Sequence, residues 1–229
     1  MAANVGVMAH FPTLTLWLVA DRPPGFLTDW QSPGSFTVTR AEARLLARCV
    51  RMCVAKRILE IGAYIGFSTA HLALATAGEV QTVDSFREYR GTLGQFQPGV
   101  MARFWENLAR CGCSERVHLT VGESPDVLVG MCPPDGWDFV FVDGWHLDGQ
   151  PMRDVQAVAV LAPGCVLALH DLWMPDVAAA GDWLTASGWR SVILRTPGRL
   201  GFFWRHESPG MDAFEGVCRA RGIGVGISE

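Results

Sequence analysis

The segment Arg57-Ile-Leu-Glu-Ile-Gly-Ala-Tyr-Ile-Gly66-Phe-Ser-Thr69 decides how this chain is read. Its opening residues form a short apolar run with the length and composition of a buried strand. Gly62 and Gly66 follow, four residues apart, where the backbone has to turn tightly and approach a ligand closely. From Phe67 the apolar spacing becomes helical, so the segment reads strand, glycine turn, helix. The first N–H groups of such a helix have no partner within it and suit a negative group on a ligand. Asp84 ends the next apolar run about 20 residues later, where a carboxylate suits the hydroxyls of a ribose. Ala63 stands where the dinucleotide fingerprint GxGxxG needs its second glycine, which argues against NAD.

Working outward, short apolar runs recur at Val80–Val83, Val117–Val121, Phe139–Val142 and Val166–Leu169. Runs such as Phe-Val-Phe-Val do not alternate with polar residues, as expected of parallel strands covered on both faces. Helical stretches fall between them at about 67–77, 101–110, 151–161 and 176–187, with Pro151 and Pro175 in two first turns. Upstream, Thr39 and Glu42 form a capping-box pattern ahead of apolar residues at helical spacing, from Ala43 to Cys53. The βαβα alternation predicts a doubly wound, mostly parallel α/β sheet with right-handed crossovers. Trp189–Arg195 and Leu200–Arg205 leave no room for a crossover helix between them. They predict a hairpin whose last strand runs antiparallel. No repeat or linker divides residues 1–229, which read as one domain: an irregular segment 1–36, a core 37–205 and a C-terminal tail 206–229.

Composition narrows the function. Of 229 residues, 49% are hydrophobic and 18% charged, with a net charge of −4. That describes a chain with a core and without the basic stripe of a nucleic-acid binder. The seven cysteines match no zinc template and read as free thiols. The N-terminus lacks a signal-peptide pattern, and Leu14–Ala20 is too short to span a bilayer, so a cytoplasmic protein without a membrane partner is expected.

Glu60–Thr69 resembles motif I of the class I S-adenosylmethionine-dependent methyltransferases, in the form found in catechol- and caffeoyl-CoA-type O-methyltransferases. The resemblance continues through Arg116–Ser124, Trp137–Gly144 and Leu161–Asp171 and covers about residues 37–205. Asp143-Gly-x-His146 with His170-Asp171 is similar to a subgroup that includes macrocin- and novobiocin-type sugar O-methyltransferases. The resemblance implies a Rossmann-like, seven-stranded sheet with helices on both faces and a C-terminal antiparallel hairpin. It also implies S-adenosylmethionine as cofactor. Glu60, Gly62 and Ser68 would face its methionine end, and Ala63, Tyr64 and Gly66 would complete the turn around it. Asp84 and Ser85 would meet the ribose, Glu123 and Ser124 the adenine, and Asp143 the region of the methyl group.

Asp143, His146, His170 and Asp171 follow two successive buried runs, at the carboxyl ends where doubly wound sheets bind ligands. An alcohol is a poor nucleophile, so O-methylation calls for a base such as Asp143, His146 or His170, or for a divalent cation. Metal-using relatives have an acidic residue at the Asp143 position, then an acidic residue followed by Asp or Asn. In Asp143, His170 and Asp171 the histidine departs from that pattern, and it is a softer ligand than magnesium favours. Trp145 and Trp173 lie beside these residues and suit an apolar or planar ligand. The expected activity is O-methylation of a small-molecule hydroxyl, on a sugar or natural product, by a chain that forms a homodimer. The rivals are a non-catalytic cofactor-binding subunit and a fold relative with changed chemistry, such as a cephalosporin-hydroxylase-like enzyme.

Overall fold

Residues 37–88, 95–221 and 225–226 are described by a computed structural model; the segment 1–36 lies outside them. Helix α1 (Arg40–Met52) opens with the capping box that its sequence predicts. The backbone N–H of Thr39 donates to Glu42 Oε2 at 2.9 Å, and the N–H of Glu42 donates back to Thr39 Oγ1. After it come β1 (Arg57–Ile61), α2 (Phe67–Ala75), β2 (Glu79–Asp84), β3 (Arg87–Glu88), β4 (Gln95–Phe96), α3 (Pro98–Arg110) and β5 (Val117–Val121). The chain continues through α4 (Leu128–Met131), β6 (Phe139–Val142), α5 (Gln150–Leu161), β7 (Val166–Leu169) and α6 (Pro175–Ala186). It closes with β8 (Arg190–Leu194), β9 (Gly201–Trp204), α7 (Pro209–Ala220) and β10 (Val225–Gly226).

The main sheet has the order β10-β8-β9-β7-β6-β1-β2-β5. Strands β5, β2, β1, β6 and β7 pair in parallel, and β9 runs antiparallel to both β7 and β8. This is the doubly wound, mostly parallel sheet with a C-terminal hairpin, in seven strands plus the two-residue edge strand β10. Successive residues of one strand enter different cores, which explains the unbroken apolar runs. Ile58, Phe139, Phe141, Val166 and Ala168 pack under α1, α2, α3 and α7, whereas Leu59, Val140, Val142, Leu167 and Leu169 pack under α5 and α6. The helix α7 lies within what the sequence reads as a tail. Its signal is present: Ser208 caps it through a bond from Met211 N–H, Pro209 sits in its first turn, and Met211, Phe214 and Cys218 are buried.

From β1 the chain builds β2 and β5 on one side, then returns to place β6 and β7 on the other. The order therefore reverses between β1 and β6, and a crevice opens there beyond the strand ends. Hairpin, glycine turn and rim residues all converge on that edge.

Candidate active site

The turn after β1 is held from two directions. Asp84, at the end of β2, accepts the backbone N–H groups of Ala63 and Tyr64 with Oδ2, each at 2.8 Å, and that of Phe86 with Oδ1 at 2.6 Å. Gly62 has φ +96°, and a Cβ there would lie 2.2 Å from the carbonyl oxygen of Asp143. A Cβ on Gly66 would meet the Phe104 ring at 3.0 Å. Both close approaches are thus to the protein itself, where the sequence suggests a ligand. Gly62 lets the β1 and β6 ends meet, and Gly66 lets α2 start against α3. No side chain caps α2, so its first turn keeps N–H groups for a partner outside the helix.

Glu60 is buried beneath the turn on the α1–α2 face. Its Oε2 accepts from Thr82 Oγ1 of the paired strand at 3.0 Å and from Thr69 Oγ1 of α2. Its Oε1 is buried with no hydrogen-bond partner among the described residues. Burial pushes the Glu60 carboxyl up to about 7, against neighbouring hydroxyls that favour the charged form. Ser68, on the first turn of α2, is also buried.

Beyond β5, the N–H of Gly122 donates to Asp84 O at 3.1 Å, which sets Glu123 and Ser124 beside the Asp84 edge. Glu123 pairs with Arg87 at 3.3 Å and is exposed, whereas Ser124 donates its hydroxyl to the buried Asp154.

At the rim, Asp143 follows β6, while His170 and Asp171 follow β7. His146 Nε2 lies 3.3 Å from Asp143 Oδ1, and its Nδ1 lies 3.5 Å from Asp171 Oδ2. One ligand atom from each of Asp143, His146 and Asp171 falls within 4.8 Å of the others. His170 stands behind this group. Its Nδ1 is 3.2 Å from Asp143 Oδ1 and 3.4 Å from Asp171 Oδ2, and its Nε2 is 3.3 Å from Glu42 Oε2. Both ring nitrogens face carboxylates, and only the imidazolium can offer a proton on each side. Burial opposes the charge, but Asp143, Asp171 and Glu42 outweigh it and hold the His170 pKa well above the histidine range. In turn, burial would raise the carboxyls of Asp143 and Glu42, and their bonds to histidine prevail and lower both.

Residues 59–172 match a family model described as a methyltransferase domain. Over that segment, just under half of its length, the chain is similar to methyltransferase domains. It is 26% identical over 146 residues to a caffeoyl-CoA O-methyltransferase of Populus kitakamiensis, an alignment that covers 62% of this chain and 57% of the relative. It is 31% identical over 139 residues to a protein named as an O-methyltransferase in Mycobacterium sp. (strain JLS), covering 60% and 58%. The chain thus spans just under three fifths of the length of these relatives. Its fold matches the O-methyltransferase TomG of Streptomyces achromogenes, involved in tomaymycin synthesis and solved in complex with SAM. That match has a TM-score of 0.62 at 21% identity and covers 75% of this chain and 82% of the other.

The fold brings Gly62–Gly66, Ser68, Asp84, Ser85, Glu123, Ser124 and Asp143 to one edge of the sheet. The rim group differs from the sequence expectation in one member. His146 lies within ligand distance of Asp143 and Asp171, and the position expected of His170 is thereby filled, while His170 itself is enclosed by carboxylates. Glu42 escaped the sequence reading as a site residue because its capping role accounts for it fully. Gly198, whose N–H donates to Glu42 Oε1 at 2.7 Å, escaped because its hairpin loop carries no chemical signal. Its Cβ would lie 2.2 Å from His170 Nε2, so only glycine admits the imidazole there.

Proposed function

We propose that this protein transfers a methyl group from S-adenosylmethionine to a hydroxyl of a small molecule, with a sugar or natural product as acceptor. The observation that carries this reading is the pairing, on one sheet edge, of a nucleoside-type turn with a carboxylate–histidine rim. The donor set fits the cofactor. Glu60 Oε1 is a buried acceptor without a hydrogen-bond partner among the described residues, and the ammonium of an amino-acid end would supply one. The uncapped start of α2 suits the accompanying carboxylate. Asp84, whose Oδ2 is taken by two N–H groups and Oδ1 by one, keeps an acceptor site on Oδ1 for a ribose hydroxyl. When bound, the sulfonium supplies an electrophilic methyl group.

The chain's own residues then handle the acceptor proton. His146 sits between two carboxylates, its Nε2 3.3 Å from Asp143 Oδ1 and its Nδ1 3.5 Å from Asp171 Oδ2. The neutral ring has one nitrogen able to take a proton, and Asp143 and Asp171 stabilise the charge it then gains. His170 draws the two carboxylates to one side of its ring as a fixed counter-charge and is not the base. Trp173, 57% exposed, donates its indole N–H to Asp171 at 2.8 Å and, with Leu147, gives the mouth an apolar wall.

A second reading rests on the compactness of Asp143, His146 and Asp171. Two carboxylates and an imidazole suit a divalent transition metal better than magnesium, and such a cation would acidify an acceptor hydroxyl.

Calorimetric titration with S-adenosylhomocysteine is expected to show binding, weakened at least tenfold in Asp84→Ala; a wild-type chain that does not bind overturns the cofactor assignment. With an acceptor found by methyl-label screening, His146→Ala is expected to lower kcat about 10²–10⁴-fold. Inactivation by EDTA with recovery on manganese would select the metal reading instead.

A further inference from the structure

Asp154 is a buried carboxylate that the proposed chemistry does not use. It sits on the second turn of α5, 1% exposed, on the side of the sheet opposite α1. Its Oδ1 accepts two donors, the Ser124 hydroxyl and Gln150 Nε2, the latter at 2.8 Å. The same Gln150 amide also donates to the Ser124 backbone carbonyl. Ser124 is therefore gripped through both its side chain and its backbone by two residues of one helix, four positions apart. A carboxyl buried this deeply costs free energy unless it is hydrogen-bonded, and the bonds that satisfy this one hold the loop after β5.

That loop continues the support. The N–H of Gly122 donates to Asp84 O, and the carboxylate of Asp84 holds the N–H groups of Ala63 and Tyr64. A hydrogen-bonded path thus runs from α5 through Ser124 and Asp84 to the glycine turn. Helix α5 itself begins just beyond the loop that carries His146, and Gly149 N–H anchors its start on Asp176 at 2.9 Å.

We infer that Asp154 is a positioning residue for the nucleoside end of the cofactor, acting through Ser124 with Gln150 as the second arm of the brace. The inference rests on the cofactor reading above. Asp154 touches no ligand, and its part is to fix the loop that forms the adenine side of the pocket before binding, so that ordering it is not charged against affinity.

The test uses the full chain and two probes, S-adenosylhomocysteine and 5′-methylthioadenosine, which keeps the nucleoside and lacks the amino-acid end. Asp154→Ala is expected to weaken both about tenfold, the worth of one or two lost ordering bonds. Asp154→Asn, whose amide oxygen still accepts from Ser124 and Gln150, is expected to return affinity to within about threefold of wild type. Gln150→Ala, at the partly exposed helix start, keeps the inference open to refutation if Asp154→Ala does not fold, and is expected to cost about fivefold. Ser124→Ala combined with Asp154→Ala should cost little more than either alone, because both cut one brace. Affinity for both probes unchanged in a folded Asp154→Ala or Gln150→Ala protein overturns the inference and leaves the cofactor reading standing. So does a loss confined to S-adenosylhomocysteine. A wild-type chain that binds neither probe overturns both.

Discussion

Glu42→Gln removes one charge from the buried cluster while leaving its volume almost unchanged. The carboxylate accepts Thr39 N–H at 2.9 Å, Thr39 Oγ1 at 2.7 Å and Gly198 N–H at 2.7 Å, and faces His170 Nε2 at 3.3 Å. Every neighbour is a donor. A glutamine has one oxygen and must turn its NH2 toward one of them, leaving a buried donor opposed to a donor, at about 1–3 kcal/mol. The imidazolium also loses one of three anions, a further ~1–2 kcal/mol for a partner removed from a buried charge network that keeps two others. The sum is about 3 kcal/mol, or ~6–12 °C in Tm for a chain of this size. Urea unfolding at pH 7.5, with the slope m held common to both proteins, measures it. Because the Glu42 pKa is lowered in the fold, its contribution is complete above its ordinary value of 4.5 and fades as the pH falls below that. The gap between the two proteins should therefore narrow on acidification. A loss under about 1 kcal/mol at pH 7.5, or a gap that widens toward pH 4, refutes the cage as described.

Two further outcomes follow from single atoms and single bonds. Gly62→Ala places a Cβ 2.2 Å from a backbone carbonyl at φ +96°. It is expected to destabilise by about 3–5 kcal/mol, since backbone cannot yield as a side chain does, and a loss below ~1 kcal/mol in thermal melts contradicts the close approach. Asp154 has its carboxyl raised by burial to about 6 from 3.8. A raised carboxyl means that the folded state binds the proton more tightly, so stability falls as the pH climbs from about 4 through 6 and stays lower above. Asp154→Asn lacks that dependence, and its stability relative to wild type should improve by about 2 kcal/mol between pH 4 and pH 8. A pH-independent difference in urea unfolding would show that Asp154 does not titrate there.

The sequence by itself determined the sheet and its sidedness. Strands such as Phe139–Val142 enter different cores with successive residues, and that double burial is written directly as unbroken apolar runs. The glycine turn, Asp84 and the hairpin were legible for a related reason: each is a local demand on backbone or charge, satisfied within a few residues. Helix α7 was legible in principle, through Ser208, Pro209 and the Met211–Phe214–Cys218 face, though proximity to the chain end masks such a pattern. Tertiary structure alone decided what the glycines and histidines meet. Gly62 admits the Asp143 carbonyl, Gly198 admits His170, and Glu42 reaches across from α1 to hold that histidine charged. These partners lie as far apart as 156 residues along the chain, as Glu42 and Gly198 do. No periodicity links them, because hydrogen-bond and van der Waals contacts act over a few ångströms and are set only when strands and helices have packed. The same holds for Asp154, whose sequence position marks only a helix and whose two bonds to Ser124 and Gln150 exist only once α5 lies against the loop after β5.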